Sequence, residues 1–425
     1  MDNHAACLMI TQYPMDGTDA STIHTAELSS HLYLSGVRVR VVCPASRRSQ
    51  HTVDTNAPCM TLPTLGRGVL RALTFQLSLA AALIALVLRK RIKCLYVRHS
   101  GLLVAPTVMG ALFRLPVVLE INGLVSEELP LLRPGRGTRA MCALVGLIER
   151  LNFRFATSFV VVTPNLKQVL VQEFGVSPAR VRVVPNGANI TRFHPCRAED
   201  ARRQLGLRQE GPVVGFVGNL QPWHGVDVLV EAAPHVLSNL PQALFLVVGD
   251  GPERGSLEQR VAELGIASRF VFTGAVPYAR VPLYMAAFDV CAAPFPESAR
   301  NSRIGGSPLK VLEYAACGQP VVISSALPIF HEIAEAGAGL TVRPNDPRAL
   351  ARALVEILRD PLGKEQMGKR AREYAVARGS WAHAARAVEG VIAESCGRYL
   401  QQPCPGVPAA ESGPLSSDCK GGFRR

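Results

Sequence analysis

The stretch from Ile304 to Val322 reads I-G-G-S-P-L-K-V-L-E-Y-A-A-C-G-Q-P-V-V. It contains a glycine turn, a short helical pattern and an apolar run, which is typical of a helix that leads into a buried parallel strand. Ser307 is a favoured N-cap residue and Pro308 suits the first helical position, so the helix is predicted to begin there. Its N-terminal N–H groups would then attract phosphate.

Two charged residues of this helix suggest a nucleotide. Lys310 and Glu313 are three positions apart and share one helix face, whereas Leu309, Leu312 and Ala316 fall on the neighbouring core side. Lys310 would neutralise a phosphate, and Glu313 would accept hydrogen bonds from a ribose diol. An ordinary crossover helix with a solvated Lys–Glu pair explains the spacing equally well. The spacing alone leaves both interpretations open.

Strand and helix patterns alternate along the whole chain, which predicts an α/β protein built from two doubly wound units. The first unit is predicted from strands at 6–10, 37–42, 94–97, 116–121, 158–162 and 181–184, with helices at 21–35, 68–90 and 138–155. A polar stretch from His194 to Glu210 is predicted to be a linker. The second unit is predicted from strands at 213–217, 244–248, 270–272, 290–293 and 321–323, with helices at 226–237, 254–264, 281–287, 308–317, 347–358 and 363–378.

Composition limits the class of function. Eleven cysteines without a C-x-x-C pair indicate reduced thiols in a cytosolic protein and no metal site. The N-terminus lacks a basic and apolar leader pattern, so a first strand is predicted there and not a signal peptide. The net charge of +13 favours anionic partners, although arginine-rich composition explains it too. Aromatics of only 6%, with no interleaved arginine run, argue against nucleic acid.

One apolar stretch is almost long enough to span a membrane. Residues 72–88 read A-L-T-F-Q-L-S-L-A-A-A-L-I-A-L-V-L and are followed by Arg89, Lys90 and Arg91. Because a spanning helix needs about 20 apolar residues, a buried or membrane-resting helix is favoured over a transmembrane span. The basic end and the arginines around 138–155 would suit an anionic membrane surface, or would form a solvated helix face.

From about residue 5 to 397 the chain resembles the retaining glycosyltransferases of family 4. The resemblance rests on several motifs in order: Tyr13-Pro14 with Gly17, then V-V-P-N-G at 183–187, V-G-N-L-Q-P-W-H-G-V-D at 217–227, V-V-G-D-G-P at 247–252, and the 307–322 segment. It implies the GT-B architecture, in which two Rossmann-like domains face each other across a cleft. The implied divisions are an acceptor domain at 1–195, a donor domain at 196–380, a helix at 381–400 that packs back on the first domain, and a disordered tail at 401–425.

The resemblance also implies the donor-binding residues. Glu313 matches the second Glu of the family motif, which holds the ribose, while Gly305 occupies the first Glu position, as in the S-P-L-K subgroup. Asn219 and His224 occupy the positions of the family's diphosphate-binding Arg and Lys. A diphosphate would favour a protonated His224. The remaining implied donor contacts are Gly17, Gly249, Gly306, Ser307, Lys310 and Leu312.

For the reaction itself, Asn122 occupies the place of a His that faces the donor sugar in many family members, and His99 is a second candidate. The family implies a retaining transfer in which the leaving diphosphate takes the acceptor proton, so no general base, metal or cofactor is expected. The expected partners are a nucleotide-diphosphate sugar and a sugar or lipid-linked acceptor, in the cytoplasm or at the inner membrane face. The alternatives are a GT-B sugar-nucleotide epimerase and a non-catalytic scaffold that binds sugar nucleotides.

Overall fold

The computed structural model describes residues 7–16, 19–46, 55–132, 136–207 and 211–396. Its strands form two separate sheets in which every pair is parallel. The first sheet has the order β3-β2-β1-β4-β5-β6-β7 and the second has the order β10-β9-β8-β11-β12-β13. The strands are β1 Cys7–Ile10, β2 Val39–Pro44, β3 Cys59–Leu62, β4 Cys94–Arg98, β5 Val117–Ile121, β6 Ser158–Val161, β7 Val181–Val183, β8 Val213–Val217, β9 Leu244–Val248, β10 Phe270–Phe272, β11 Val290–Ala293, β12 Val321–Ser324 and β13 Gly339–Val342.

Helices cover both faces of each sheet, as a doubly wound α/β fold requires. In the first domain they are α1 Ala20–Leu34, α2 Gly68–Leu88, α3 Ala105–Leu112, α4 Val125–Leu132, α5 Arg136–Phe155 and α6 Pro164–Phe174. In the second they are α7 Ala198–Gln204, α8 Val226–Leu237, α9 Arg254–Glu263, α10 Val281–Ala286, α11 Ala299–Ile304, α12 Leu309–Ala316, α13 Ile329–Glu335, α14 Pro347–Arg359 and α15 Pro361–Ala377. The last helix is α16 Trp381–Cys396.

The two faces of the first sheet have different helices. Phe75 of α2 and Phe153 of α5 pack with apolar residues of β4, β5 and β6 on one face. Helices α1 and α16 pack together on the other face, where Trp381 is buried among residues of β1, β4 and β5. The chain therefore returns from the second domain to the first, and the tail predicted at 401–425 lies outside the described residues.

The segment that joins the two domains differs from the predicted linker. Phe193 is fully buried, and α7 interrupts the polar stretch predicted between 194 and 210. Arg202 of α7 donates to the carbonyl of Ala287 at 2.9 Å and to Asp289 Oδ2 at 2.5 Å. The segment between the domains is thus folded, because the hydrogen bond and the ion pair of Arg202 hold a short polar helix that hydrophobic periodicity does not reveal.

Candidate functional site

A cleft of about 190 Å³ lies between the two domains. It is bordered by the carboxyl ends of strands from both sheets, which is where doubly wound folds bind ligands. From the first domain it is lined by His24, Arg98, Asn122 and Asn186, among others; from the second by Trp223, His224, Phe295, Arg300 and the segment from Gly306 to Leu309.

The start of α12 borders this cleft, but Ser307 does not cap it. The helix begins at Leu309, and Pro308 occupies the cap position without a side-chain hydrogen bond. Ser307 Oγ instead accepts from the backbone N–H of Asn186 at 2.9 Å, and its carbonyl accepts from Asn186 Nδ2 at 2.6 Å. The predicted N-cap was therefore wrong, because Ser307 joins the turn of the second domain to the first domain.

Lys310 is buried immediately behind the cleft wall. Its Nζ lies 4.0 Å from the ring centroid of Phe216 and 5.6 Å from that of Phe295. Among the residues that the structure describes, this Nζ has no hydrogen-bond partner. Burial lowers the pKa of Lys310 to about 7, although Glu313 opposes the shift. A buried amine with two aromatic faces and no anion beside it is costly unless a ligand supplies the negative charge.

Glu313 is buried on the same helix and does not form the solvated pair with Lys310 that the spacing allowed. Its Oε1 accepts a hydrogen bond from Tyr278 Oη at 3.0 Å. Burial raises the pKa of Glu313 to about 7, which outweighs the hydrogen bond from Tyr278 and the positive charges of Lys310 and Arg192. In the described chain no ion pair within 4 Å joins Glu313 to Lys310. Both side chains are therefore held in place by the protein and kept from solvent.

Two glycines allow the backbone to pass close to Lys310. Gly218 follows β8 with φ of 140°, and a Cβ there would lie 2.6 Å from Lys310 Nζ. Gly249 follows β9 with φ of 138°, and a Cβ there would lie 2.0 Å from the carbonyl oxygen of Gly218. Only glycine fits these positions without displacement. Gly249 thus shapes the turn that covers Lys310.

His224 lies in the loop after β8 and lines the cleft. Its Nδ1 is hydrogen-bonded to the backbone carbonyl of Asn219, so Nδ1 carries the proton and Nε2 is an acceptor in the neutral ring. Burial, followed by the charge of Lys310, lowers the pKa of His224 to about 3. His224 is therefore neutral in the ligand-free protein, and its protonation beside a bound diphosphate stays a prediction. Asn219 itself is exposed.

The opposite wall of the cleft carries a network around one buried carboxylate. Glu120 Oε1 accepts from Arg98 Nη1 at 2.9 Å and from Asn122 Nδ2 at 2.5 Å, and lies 3.1 Å from His24 Nε2. Burial would raise the pKa of Glu120, but His24, Arg98 and Asn122 lower it below its ordinary value. Because Asn122 Nδ2 already donates to Glu120, Asn122 Oδ1 is the atom that can accept a hydrogen bond from a hydroxyl group in the cleft.

His99, the second catalytic candidate, does not line the cleft. Its Nε2 is 3.3 Å from Glu149 Oε1, and its ring packs against Phe153 at 5.7 Å between centroids. Glu149 also accepts from Ser126 Oγ at 2.5 Å. His99 therefore belongs to the buried contact between the end of β4 and α5.

Helix α11 forms a clasp between the two domains. Arg300 Nη2 lies 2.8 Å from Glu128 Oε1, while Arg303 Nη2 lies 2.9 Å from Glu127 Oε1 and 2.6 Å from Glu173 Oε2. The helix ends with the carbonyl of Ile304, which accepts from Thr163 Oγ1 at 2.7 Å. Sequence reasoning missed Arg300 as well as His24 and Arg98, since no local motif distinguishes them.

Comparison with known proteins agrees with this geometry. Residues 21–192 match the family model described as Glycosyltransferase Family 4, and residues 211–360 match the model described as Glycosyl transferases group 1. The chain belongs to glycosyltransferase family 4. The two parallel-sheet domains and the cleft between them are the GT-B fold that the resemblance predicted, which is thereby confirmed.

Curated relatives of this family 4 chain carry names of sugar transferases. A 2-deoxystreptamine glucosyltransferase from Streptomyces kanamyceticus is 33% identical over 221 residues, which cover 51% of this chain and 55% of the relative. A D-inositol 3-phosphate glycosyltransferase from Nocardia farcinica is 31% identical over 66% of this chain and 61% of the relative. The alignments thus span little more than half the length of these relatives.

A solved structure resembles the family 4 chain over nearly its whole length. The sucrose-phosphate synthase from Thermosynechococcus elongatus superposes with a TM-score of 0.72 at 22% identity, covering 91% of this chain and 98% of that one. Identity at this level establishes the common fold.

Gly305 and Leu312 take structural positions in this family 4 chain. Gly305 has φ of 70°, and a Cβ there would lie 3.1 Å from Pro328 Cδ. A Glu at this position, as in the common family pattern, would therefore be strained. The side chain of Leu312 is buried in the core of the second domain and does not line the cleft, so its role as a donor contact stays a prediction. Gly306 lines the cleft, and Gly17 lies outside the described residues.

Proposed function

We propose that this protein is a retaining glycosyltransferase that moves a sugar from a nucleotide-diphosphate sugar to a sugar or lipid-linked acceptor. The observation that carries the proposal is the buried Nζ of Lys310, which has no partner in the described chain and lies beside the cleft. A site that keeps an amine desolvated and without an anion is suited to binding an anionic ligand.

The donor diphosphate would bind where α12 begins. The helix N-terminus offers partial positive charge, and Lys310 would become fully protonated as the phosphate approaches, because a nearby anion raises the pKa of a lysine. The neutral His224 would contribute Nε2 as an acceptor for a hydroxyl of the donor. Asn219 would lie at the loop beside it. The proposal assigns the charge neutralisation to Lys310 and the helix, and it requires no metal or cofactor.

The remaining donor contacts are assigned by chemistry. Glu313 would accept hydrogen bonds from the ribose hydroxyls, which requires its carboxylate form and hence exchange of its bond to Tyr278. Asn122 would orient the transferred sugar through Oδ1, since Glu120 already holds its Nδ2. The network around Glu120 fixes Asn122 in that orientation before the donor binds.

In the proposed reaction, the acceptor oxygen forms a bond to the anomeric carbon on the face from which the diphosphate leaves. The bond between that carbon and the phosphate oxygen breaks, and a diphosphate oxygen receives the acceptor proton. Lys310 and the N-terminus of α12 stabilise the negative charge that develops on the leaving group. No carboxylate nucleophile is needed for retention by this route.

The acceptor and the location belong to the same proposal. Relatives are named for 2-deoxystreptamine and D-inositol 3-phosphate, so both are acceptors to test. A cytoplasmic location and contact with the inner membrane face remain predictions.

A thermal-shift panel of UDP-, GDP- and ADP-sugars tests the donor site. At about 100 times its dissociation constant a donor stabilises the protein by roughly 2.7 kcal/mol. The wild type should respond to one nucleotide class, and Lys310→Ala and Glu313→Ala should not. If no class shifts the wild type, the site does not bind a sugar nucleotide and the proposal fails.

A further inference from the structure

The outer surfaces of three neighbouring helices expose several large apolar side chains. Helices α2, α3 and α5 pack side by side on one face of the first sheet, so their outer sides point away from the domain together. The side chains that form this leucine face are Leu73 (51% exposed), Leu77 (73%), Ile84 (41%) and Leu88 (74%) of α2, Leu112 (69%) of α3, and Leu144 (48%), Leu147 (63%) and Leu151 (37%) of α5. An apolar patch of this extent marks an interaction site.

Helix α2 has two apolar stripes instead of one. Phe75, Leu79 and Leu83 recur every four residues and are buried against the sheet. Leu73 and Leu77 belong to a second stripe on nearly the opposite side, which also includes Leu88 and faces solvent. A surface helix normally carries polar residues on that side. In the described chain α2 is the one helix long and apolar enough to cross a membrane, but its first stripe is part of the domain core.

The charges in the part of the chain that contains α2 and α3 have one sign. From Thr55 to Leu119 the sequence contains eight Lys and Arg residues and no Asp or Glu. Arg89, Lys90 and Arg91 follow α2, and Arg114 follows α3. Each of these helices leads into a parallel strand, so their C-terminal ends lie at the same edge of the sheet. The leucine face thus ends in a basic rim.

This combination fits an anionic lipid surface better than another protein surface. Leucines on an interfacial helix insert among the acyl chains, while Lys and Arg lie at the level of the headgroups. Each basic residue near an anionic leaflet contributes roughly a fivefold gain in affinity. A protein partner would have to supply an acidic rim around an apolar centre, whereas a bilayer with anionic headgroups supplies both at once.

We propose that the leucine face and its basic rim bind the surface of an anionic bilayer, with α2 lying in the interface and not spanning it. The face is on the outside of the first domain, away from Lys310 and the donor cleft. Binding to vesicles therefore does not depend on the proposed transfer reaction, and either proposal can fail alone.

Vesicle sedimentation of the full chain tests the proposal. Vesicles of phosphatidylcholine with phosphatidylglycerol should bind the wild type, and vesicles of phosphatidylcholine alone should bind it at least tenfold more weakly. Leu73→Glu with Leu77→Glu should abolish binding, and Arg89→Gln with Lys90→Gln should weaken it by roughly 25-fold. The matched control is Leu362→Glu, which changes an equally exposed leucine (74%) on α15 of the second domain and should bind as the wild type does.

A second variant reports insertion directly. Leu77→Trp should show a blue shift of its emission with phosphatidylglycerol vesicles, because the indole would move from water into the interface. Equal binding of the Leu73→Glu, Leu77→Glu variant and the wild type would overturn the proposal. So would a concentration-dependent dimer that this variant abolishes without any vesicle binding, since the leucine face would then join two copies of the chain.

Discussion

Replacing Lys310 with Met is predicted to stabilise the ligand-free protein while abolishing donor binding. The amine is fully buried, and burial lowers the pKa of Lys310 from its ordinary 10.5 to about 7. At about 1.4 kcal/mol per pKa unit, this shift corresponds to a cost on the order of 4 kcal/mol at pH 7. Met fills a similar volume between the rings of Phe216 and Phe295 without a charge.

The measured gain should be smaller than this cost, because relaxation and water penetration already reduce the desolvation of the amine. We expect Lys310→Met to gain at least about 2 kcal/mol, or at least about 4 °C in the melting temperature of the second domain. The same variant should show no thermal shift with any nucleotide sugar. Function at this position would then have been kept at the expense of stability.

Lys369→Met is the matched control. Lys369 lies on α15, is 69% exposed and pairs with Glu365 at 2.7 Å. Its replacement should change the free energy of unfolding by no more than about 0.5 kcal/mol and leave donor binding intact. A Lys310→Met protein that melts at or below the wild-type temperature, or that binds nucleotide sugars as tightly, would refute the reasoning.

Three further predictions concern the same region. Glu313, with its pKa raised from 4.5 to about 7, retains a proton that the unfolded chain releases, so the stability of the fold falls as pH rises from 4.5 to 7. Lys310, with its pKa lowered from 10.5 to about 7, has lost a proton that the unfolded chain keeps, so the stability of the fold rises as pH increases from 7 to 10.5. The melting-temperature difference between the Lys310→Met, Glu313→Gln double variant and the wild type should therefore be largest near pH 7, and a difference that does not change between pH 5 and 9 would contradict it. Gly305→Glu should destabilise by about 1–3 kcal/mol in thermal unfolding without tightening donor binding, because φ is 70° there; a stable, tighter-binding variant would disprove the strain. Arg300→Ala should loosen the clasp with Glu128 and raise the KM for the donor up to about fivefold. The charge-exchanged pair Arg300→Glu, Glu128→Arg should restore the wild-type KM. An unchanged KM for Arg300→Ala would show that the clasp does not contribute to donor binding.

Much of the fold could be predicted because most strands are buried on both faces and read as short apolar runs, and because these runs alternate with helical patterns along the chain. The strand Val213–Val217 and the helix Val226–Leu237 were predicted to the residue. The strand Cys59–Leu62 was missed since it is a short edge strand with two exposed residues out of four, which leaves little apolar pattern. The six residues of Ala299–Ile304 are too few for a helical period to emerge.

The site was harder to predict because its decisive contacts cross between elements. Lys310 and Glu313 lie on one helix as predicted, but their spacing could not show that both side chains are buried and that no ion pair joins them. Serine is a favoured N-cap residue, yet the Oγ of Ser307 accepts a hydrogen bond from the backbone N–H of Asn186 in the other domain. His99 illustrates the reverse case, since a histidine after a strand carries no sign of whether it faces the cleft or Glu149.

A crystal structure of the protein with the nucleoside diphosphate that produces the largest thermal shift tests the central claim most directly. The account predicts a phosphate oxygen within about 2.7–2.9 Å of Lys310 Nζ at the N-terminus of α12, with the ribose hydroxyls bonded to Glu313. A nucleotide bound elsewhere, or a Lys310 that stays without a partner while the nucleotide occupies the cleft, would contradict it.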